Sequence, residues 1–367
     1  MSPRRLALLV AVSSLLATAC ARSPRQVAWD AAWADALDDD QASAATARRW
    51  AELARTAPRQ VDAAAAELAR GDALAEAGDE VGAVEVWGRL GEDAPLRPSR
   101  ARAHYEIARL AERTGRLVAA VRIYRRLVLT YPELMPGERA LTHLERIFEA
   151  RGRRGVSAHL AWTRSIYPRL RHTSLADNLV FYPARLAHRR FLETGDPAAA
   201  ELAERLYRQI DSDHPWSGLW NDAWWQRSLL YHRQGRYLEE IAAIRRIQRT
   251  FEQISLFGHD QHVYYSRGQL RIARLQRVEL DDPGAAAASL ARYVAVYVDS
   301  IRRDDALYWQ ACALFAAGEA ERAEAVVATL EREYPESKYL AWTDRARAEP
   351  ANPRCIPIDL VADEDPP

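Results

Sequence analysis

Between residues 101 and 131 the apolar positions recur at helical spacing in two successive segments. Tyr105, Ala108 and Ala111 share one face of the first segment, which Gly115 closes. Glycine just past a helix end tolerates the left-handed conformation that satisfies the last carbonyls. The second segment is predicted over 117–130. It puts Ala120 where two helices approach closely, with Tyr124 and Leu127 one turn apart on one face. Pro132 ends the unit, because it cannot continue a helix and biases Tyr131 away from helical angles.

The unit repeats. Trp50, Trp87 and Tyr124 stand 37 residues apart, as do Leu53, Leu90 and Leu127, and Pro58, Pro95 and Pro132. Gly78 with Gly115 and Ala83 with Ala120 share the period. Two helices with one apolar face each are not stable alone, and stacking such pairs buries a continuous core. Gly137 to Pro168 holds a degenerate fourth unit. Thr194-Gly195-Asp196-Pro197 opens a second-type helix with Ala203, Tyr207 and Ile210, ended by Pro215. Trp224, Tyr231 and Gly235 fall at the Trp, Tyr and Gly positions, and Asp282-Pro283 opens another second-type helix. The clearest late unit runs from Asp305 to Pro335, with Gly318, Ala323, Leu330 and Tyr334-Pro335, followed by a capping helix to about Arg347. No strand pattern stands out.

This hairpin pattern resembles the tetratricopeptide repeat: Gly after the first helix, Ala then Tyr or Phe in the second, Pro at the end. The resemblance implies an all-α, right-handed superhelical solenoid over most of residues 27–349. The long unit with Tyr-Pro between repeats is similar to the periplasmic repeat proteins of the β-barrel assembly lipoprotein and Tol–Pal coordinator type. By the repeat's register Arg102, Tyr105, Arg109, Trp225 and Tyr308 point into the concave groove. Exposed aromatics and arginines are the usual strong contacts at protein interfaces, and such a groove holds an extended or helical peptide.

The first twenty residues carry a different signal. Arg4 and Arg5 precede an apolar run from Leu6 to Leu16, the length of a signal-peptide core and too short to span a bilayer well. Leu16-Ala17-Thr18-Ala19-Cys20 then resembles the lipobox of bacterial lipoproteins, with Ala17 where that family prefers leucine. The resemblance implies cleavage before Cys20 and lipidation of its thiol. Two or three acyl chains anchor stably, at about 0.8 kcal/mol per buried methylene. Ala21 and Arg22 follow, without the aspartate that retains many such proteins at the inner membrane, so the expected location is the outer membrane, facing the periplasm.

The expected divisions are a signal peptide over 1–19 and a lipidated linker over 20–26. N-terminal repeats over 27–168 and irregular helical repeats over 169–300 follow. A C-terminal repeat with its cap over 301–349 and a disordered, proline-rich acidic tail over 350–367 complete the chain. Besides Cys20 only Cys312 and Cys355 remain. An oxidising compartment would let them pair, and a buried free Cys312 is the alternative.

Charge and composition narrow the chemistry. Basic and acidic residues number 51 each, a balance that gives no support to a nucleic-acid binder. Lys338 is the one lysine, and no Gly-rich loop precedes it, which argues against a phosphate-cradling nucleotide site. His259-Asp260-Gln261-His262 lacks a third ligand at metal spacing and reads as a solvated turn and helix start. Glu336-Ser337 resembles the catalytic pair of soluble lytic transglycosylases, but it lies in the Tyr-Pro linker, where Ser337 reads as a helix N-cap. No cofactor and no catalytic residue is expected. Trp216, Trp220 and Trp224, spaced by four, are expected on one packed helical face, with Trp225 turned away from it.

The expectation is a non-catalytic, lipid-anchored scaffold that binds envelope proteins through its groove, most specifically in outer-membrane protein assembly. The alternative is cell-wall work, as a recruiter of peptidoglycan enzymes or as a glycan-binding superhelix using Trp216 to Trp225. Neither partner nor oligomeric state follows from the residues.

Overall fold

The computed structural model describes residues 23–37, 44–254 and 262–357. Cys20, the signal-peptide residues, His259 and residues 358–367 lie outside them. Among the described residues all regular structure is helical. The chain forms two compact units, Met1–Ala176 and Asp177–Pro367.

The first unit contains α1 (Pro24–Leu37), α2 (Ala44–Thr56), α3 (Gln60–Glu76), α4 (Glu80–Asp93), α5 (Arg97–Arg113), α6 (Leu117–Thr130), α7 (Met135–Glu149) and α8 (Gly152–Leu170). Each packs on the next. The hairpins α3–α4, α5–α6 and α7–α8 turn at Gly78, Gly115 and Gly152, with φ of 87°, 75° and 65°. A β-carbon in this left-handed region costs roughly 1–2 kcal/mol, hence the glycine column. After Gly115 the Arg116 amide donates back to the Ala111 carbonyl (2.8 Å), and after Gly78 the Asp79 amide donates to the Leu74 carbonyl (2.8 Å). Both bonds satisfy carbonyls that the helix end leaves open.

The repeat columns are the core. Trp50, Trp87 and Tyr124 are buried, as are Leu53, Leu90 and Leu127, and Ala83 and Ala120 are fully enclosed. Trp87 lies so close over Gly71 that a β-carbon there would stand 2.2 Å from its Nε1. Residue 71 therefore has to be glycine for this ring to pack. Gly152 falls on the 37-residue grid after Gly78 and Gly115. It marks the turn of the fourth unit, in which Pro168 sits inside α8 rather than ending it.

The second unit contains α9 (Asn178–Thr194), α10 (Pro197–Asp213), α11 (Trp220–Arg233), α12 (Tyr237–Ile254), α13 (His262–Val278), α14 (Pro283–Val296), α15 (Arg303–Ala316), α16 (Ala320–Glu333) and α17 (Thr343–Ala348). The stretch expected to be irregular consists of three hairpins on the same plan, α9–α10, α11–α12 and α13–α14. Gly195 and Gly235 turn the first two. Asp281, at φ 47°, occupies the left-handed position of the third. Aspartate tolerates that region better than most residues, and its presence hides the glycine column. Asp196 and Asp282 cap α10 and α14 by accepting from the Ala198 and Ala285 amides. Ser337 caps the short 3-10 helix Lys338–Trp342, as the linker reading predicts.

The C-terminal stretch also differs from expectation at its start. Residues 350–357 are fixed, not disordered. Cys355 is disulfide-bonded to Cys312 of α15, with the two Cα atoms 5.4 Å apart. The Trp309 indole donates to the Arg354 carbonyl (3.2 Å), and the Arg274 guanidinium donates to the Pro357 carbonyl (2.8 Å). Both cysteines are buried.

Candidate partner-binding site

Helix α5 carries three of the five residues placed in the groove by register. Arg102 and Arg109 flank Glu106 at i−4 and i+3, so all three lie on one helical stripe. The Glu106 carboxylate is 5% exposed. It meets Arg102 Nε at 2.5 Å and accepts from Arg109 Nη1 at 3.1 Å. Both arginine side chains remain 42% exposed. The stripe thus holds two half-exposed cations in fixed positions over one buried anion. Asp72 belongs to the same electrostatic neighbourhood. Its carboxyl is pushed up to about 6 by burial first and by Glu106 second.

Tyr105 is not an exposed groove residue. It is 4% exposed, and its hydroxyl meets His143 Nε2 at 2.9 Å. His143 Nδ1 faces Glu112 Oε2 at 2.7 Å. Tyr124 donates to the same oxygen at 2.8 Å, and Arg146 donates to Glu112 Oε1 at 2.6 Å. Burial holds the His143 pKa below the usual histidine value although Glu112 opposes this. A neutral ring that donates from Nδ1 to Glu112 and accepts at Nε2 from Tyr105 satisfies these two bonds, and Arg146, whose Nη2 also lies 3.0 Å from Nδ1, gives its hydrogen to Glu112 instead. Burial favours the neutral carboxyl of Glu112, but the bonds from Arg146, Tyr124 and His143 outweigh it and hold its pKa down. The order Tyr-His-carboxylate resembles a nucleophile relay in sequence of groups only. The Tyr105 hydroxyl is enclosed and its pKa is raised by burial, so it gives no accessible phenolate. The chain of bonds instead ties α5, α6 and α7 together across two hairpins.

Trp225 and Tyr308 differ from expectation in the same way. Each is 1% exposed. The Trp225 ring lies 5.0 Å from Tyr264, and Tyr308 stacks on Tyr339 at 4.7 Å with its hydroxyl 3.7 Å from Cys355 Sγ. Register places both on first helices, but the following elements cover them. Trp220 and Trp224 both donate to Asp211 Oδ1, at 2.8 and 3.2 Å. Trp216 does not share their helical face. It stands in the turn before α11 and is 94% exposed. Pro215, two residues past the end of α10, is the signal that could have placed it in a turn.

Residues 102–133 and 305–337 match the family model described as tetratricopeptide repeat. The first match spans most of α5 and all of α6. The second spans most of α15, all of α16 and the Tyr-Pro linker. No curated protein matches the chain. The hairpins α5–α6 and α15–α16 are matched as tetratricopeptide repeats, and within each unit the neighbouring helices pack as further helical hairpins.

Proposed function

We infer from the tetratricopeptide repeats that the chain is a protein–protein interaction scaffold. We propose the more specific reading of a non-catalytic scaffold of the cell envelope, anchored by lipid on Cys20 at the periplasmic face of the outer membrane and acting in outer-membrane protein assembly. The observation that carries the binding role is the α5 stripe. Arg102 and Arg109 are half-exposed and already held in place by Glu106, so little side-chain entropy is lost when a partner meets them. The envelope location draws support from the lipobox-like run before Cys20 and from the buried Cys312–Cys355 disulfide, a bond that persists in oxidising compartments. Similarity in repeat length and linker to the β-barrel assembly lipoprotein supports the assembly role.

A second reading, recruitment of cell-wall enzymes or binding of glycan, is favoured by Trp216. Its exposed ring is free to stack on a sugar or a partner, whereas Trp220 and Trp225 are buried. In-cell photocrosslinking from position 102 and position 216, followed by mass spectrometry, tests both. Capture of an outer-membrane β-barrel or an assembly factor at position 102 supports the first reading. Capture of a murein enzyme, or co-sedimentation with isolated sacculi that is lost in Trp216→Ala, favours the second. No capture from either position overturns the scaffold reading. The anchor is checked by Cys20→Ser, which should release the protein from the membrane fraction. No described helix is long and apolar enough to cross a membrane.

A further inference from the structure

Two clefts occupy equivalent places in the repeat plan, one in each unit. Each lies between two successive second helices, with the intervening first helix as its floor. In the first unit the cleft between α2 and α4 over α3 has a volume of about 420 Å³. Its charged residues balance, with Arg55 and Arg89 against Glu67 and Asp93, and its floor is Ala63 and Ala64. In the second unit the cleft between α12 and α14 over α13 is of similar size, about 410 Å³, but differs in chemistry. Arg245 and Arg249 of α12 form one wall and Arg292 of α14 the other, and among the described residues no acidic one lines it. Arg245 and Arg249 make no ion pair among the described residues.

The floor of the second cleft is polar where a repeat core is ordinarily apolar. Gln248, Gln269, Gln276 and Ser289 are all under 10% exposed. They form a ladder. Gln248 Nε2 donates to Gln269 Oε1 (2.9 Å), Gln269 Nε2 donates to the Ser289 carbonyl (2.8 Å), and Ser289 Oγ donates to Gln276 Oε1 (2.7 Å). This satisfies the Gln276 oxygen. Its amide nitrogen is not among the buried atoms left without a partner, so its N–H groups open onto the cleft rather than being sealed in the core. The ladder's place is the bottom of a cleft rimmed by three cations.

We propose that this cleft binds an acidic peptide segment of a partner protein, with side-chain carboxylates on Arg245, Arg249 and Arg292 and a peptide carbonyl on the Gln276 amide. Arginine pairs carboxylates through two parallel N–H bonds, and the floor amides match a peptide backbone. The size suits a few residues of extended chain. The proposal rests on the scaffold reading and adds a second contact surface, formed by second helices of the second unit.

The test is fluorescence anisotropy with the full chain and a labelled hexaglutamate peptide, with hexaglutamine as the neutral control and inorganic phosphate as competitor. Hexaglutamate should bind and hexaglutamine should not. Arg245→Gln/Arg249→Gln should weaken binding by about 100-fold, through the loss of two charge-assisted bonds. Gln276→Ala should weaken it less, with an unchanged salt dependence. A charge-matched variant at exposed arginines elsewhere, Arg122→Gln/Arg205→Gln, should bind as the parent does. The inference is overturned if hexaglutamate fails to bind, if the charge-matched variant loses as much affinity as the cleft variant, or if phosphate alone displaces the peptide at equal concentration. If position 102 still captures its partner while the cleft variants change nothing, the cleft proposal fails and the scaffold reading stands.

Discussion

Replacing both disulfide cysteines, as Cys312→Ala/Cys355→Ala, should loosen the C-terminal end of the second unit and little else. The bond closes a loop with a sequence separation of 43. Chain entropy for a loop of that length gives about 4 kcal/mol of stabilisation. The measured loss should be smaller, about 2–4 kcal/mol. Residues 350–357 keep the bonds from Trp309 to Arg354 and from Arg274 to Pro357, and small alanines fit the buried sites without a new polar group. Stacked repeats contact only their neighbours, so the loss should not spread evenly along the chain. Hydrogen-exchange mass spectrometry resolves this. Amides of α15 and of residues 350–357 should exchange faster in the variant, while those of α3 to α6 keep their rates. Alkylation of the denatured, unreduced parent should leave Cys312 and Cys355 unlabelled. Wild-type exchange in α15 of the variant, or labelling of both thiols without reductant, would refute the reasoning.

Other consequences follow from individual residues. Gly115→Ala puts a β-carbon at φ 75° and should cost about 1–2 kcal/mol in a denaturant melt, whereas Asp281→Gly should be neutral or slightly stabilising, because it relieves the same strain at φ 47°. His159 and His188 are buried, and burial holds both pKa values down to about 4, against 6.5 in the unfolded chain. Since the unfolded chain takes up these protons first, their contribution is complete above about pH 6.5 and is lost as pH falls towards 4. The loss is at most on the order of 3 kcal/mol each, and His159→Phe/His188→Phe should flatten the pH dependence of melting over that range. Asp72 has the opposite sense, a carboxyl pushed up to about 6 from 3.8, so its ionisation opposes folding at neutral pH and not below its unfolded pKa. Asp72→Asn should therefore stabilise the fold at pH 7.5, by about 1 kcal/mol after allowance for partial exposure, and leave the melting midpoint unchanged at about pH 3.

The hairpin plan was legible because each column has one steric reason. Gly78 and Gly115 are left-handed, Ala83 and Ala120 allow close approach, and Trp50, Trp87 and Tyr124 fill the space between hairpins. Gly152 sits on the same period and would have placed the turn between α7 and α8. The middle of the chain looked irregular because Asp281 does a glycine's work there and because turn lengths vary. Where the third hairpin's turn closes, the Asp282 amide reaches back to Gln276, one residue further than the equivalent bond of Arg116 to Ala111.

The site was less legible, for a reason that applies to any helical repeat. Register gives the direction of a side chain but not what the next hairpin puts in front of it. Arg102 and Arg109 point outward and stay half-exposed, because a guanidinium can keep its head in water while its stem packs. Tyr105, Trp225 and Tyr308 point the same way and are covered, by His143, by Tyr264 and by Tyr339. A large apolar ring on a first helix is a place for the neighbouring hairpin to dock, and the energy gained by burying it exceeds what an exposed contact would retain. The same logic turned around picks out the cleft between α12 and α14. Gln248, Gln269 and Gln276 occupy buried positions between stacked helices, where packing is ordinarily apolar, and they link α12, α13 and α14 by hydrogen bonds instead. It is the coincidence of such buried amides with a rim of arginines, and not an outward aromatic ring, that singles out this surface.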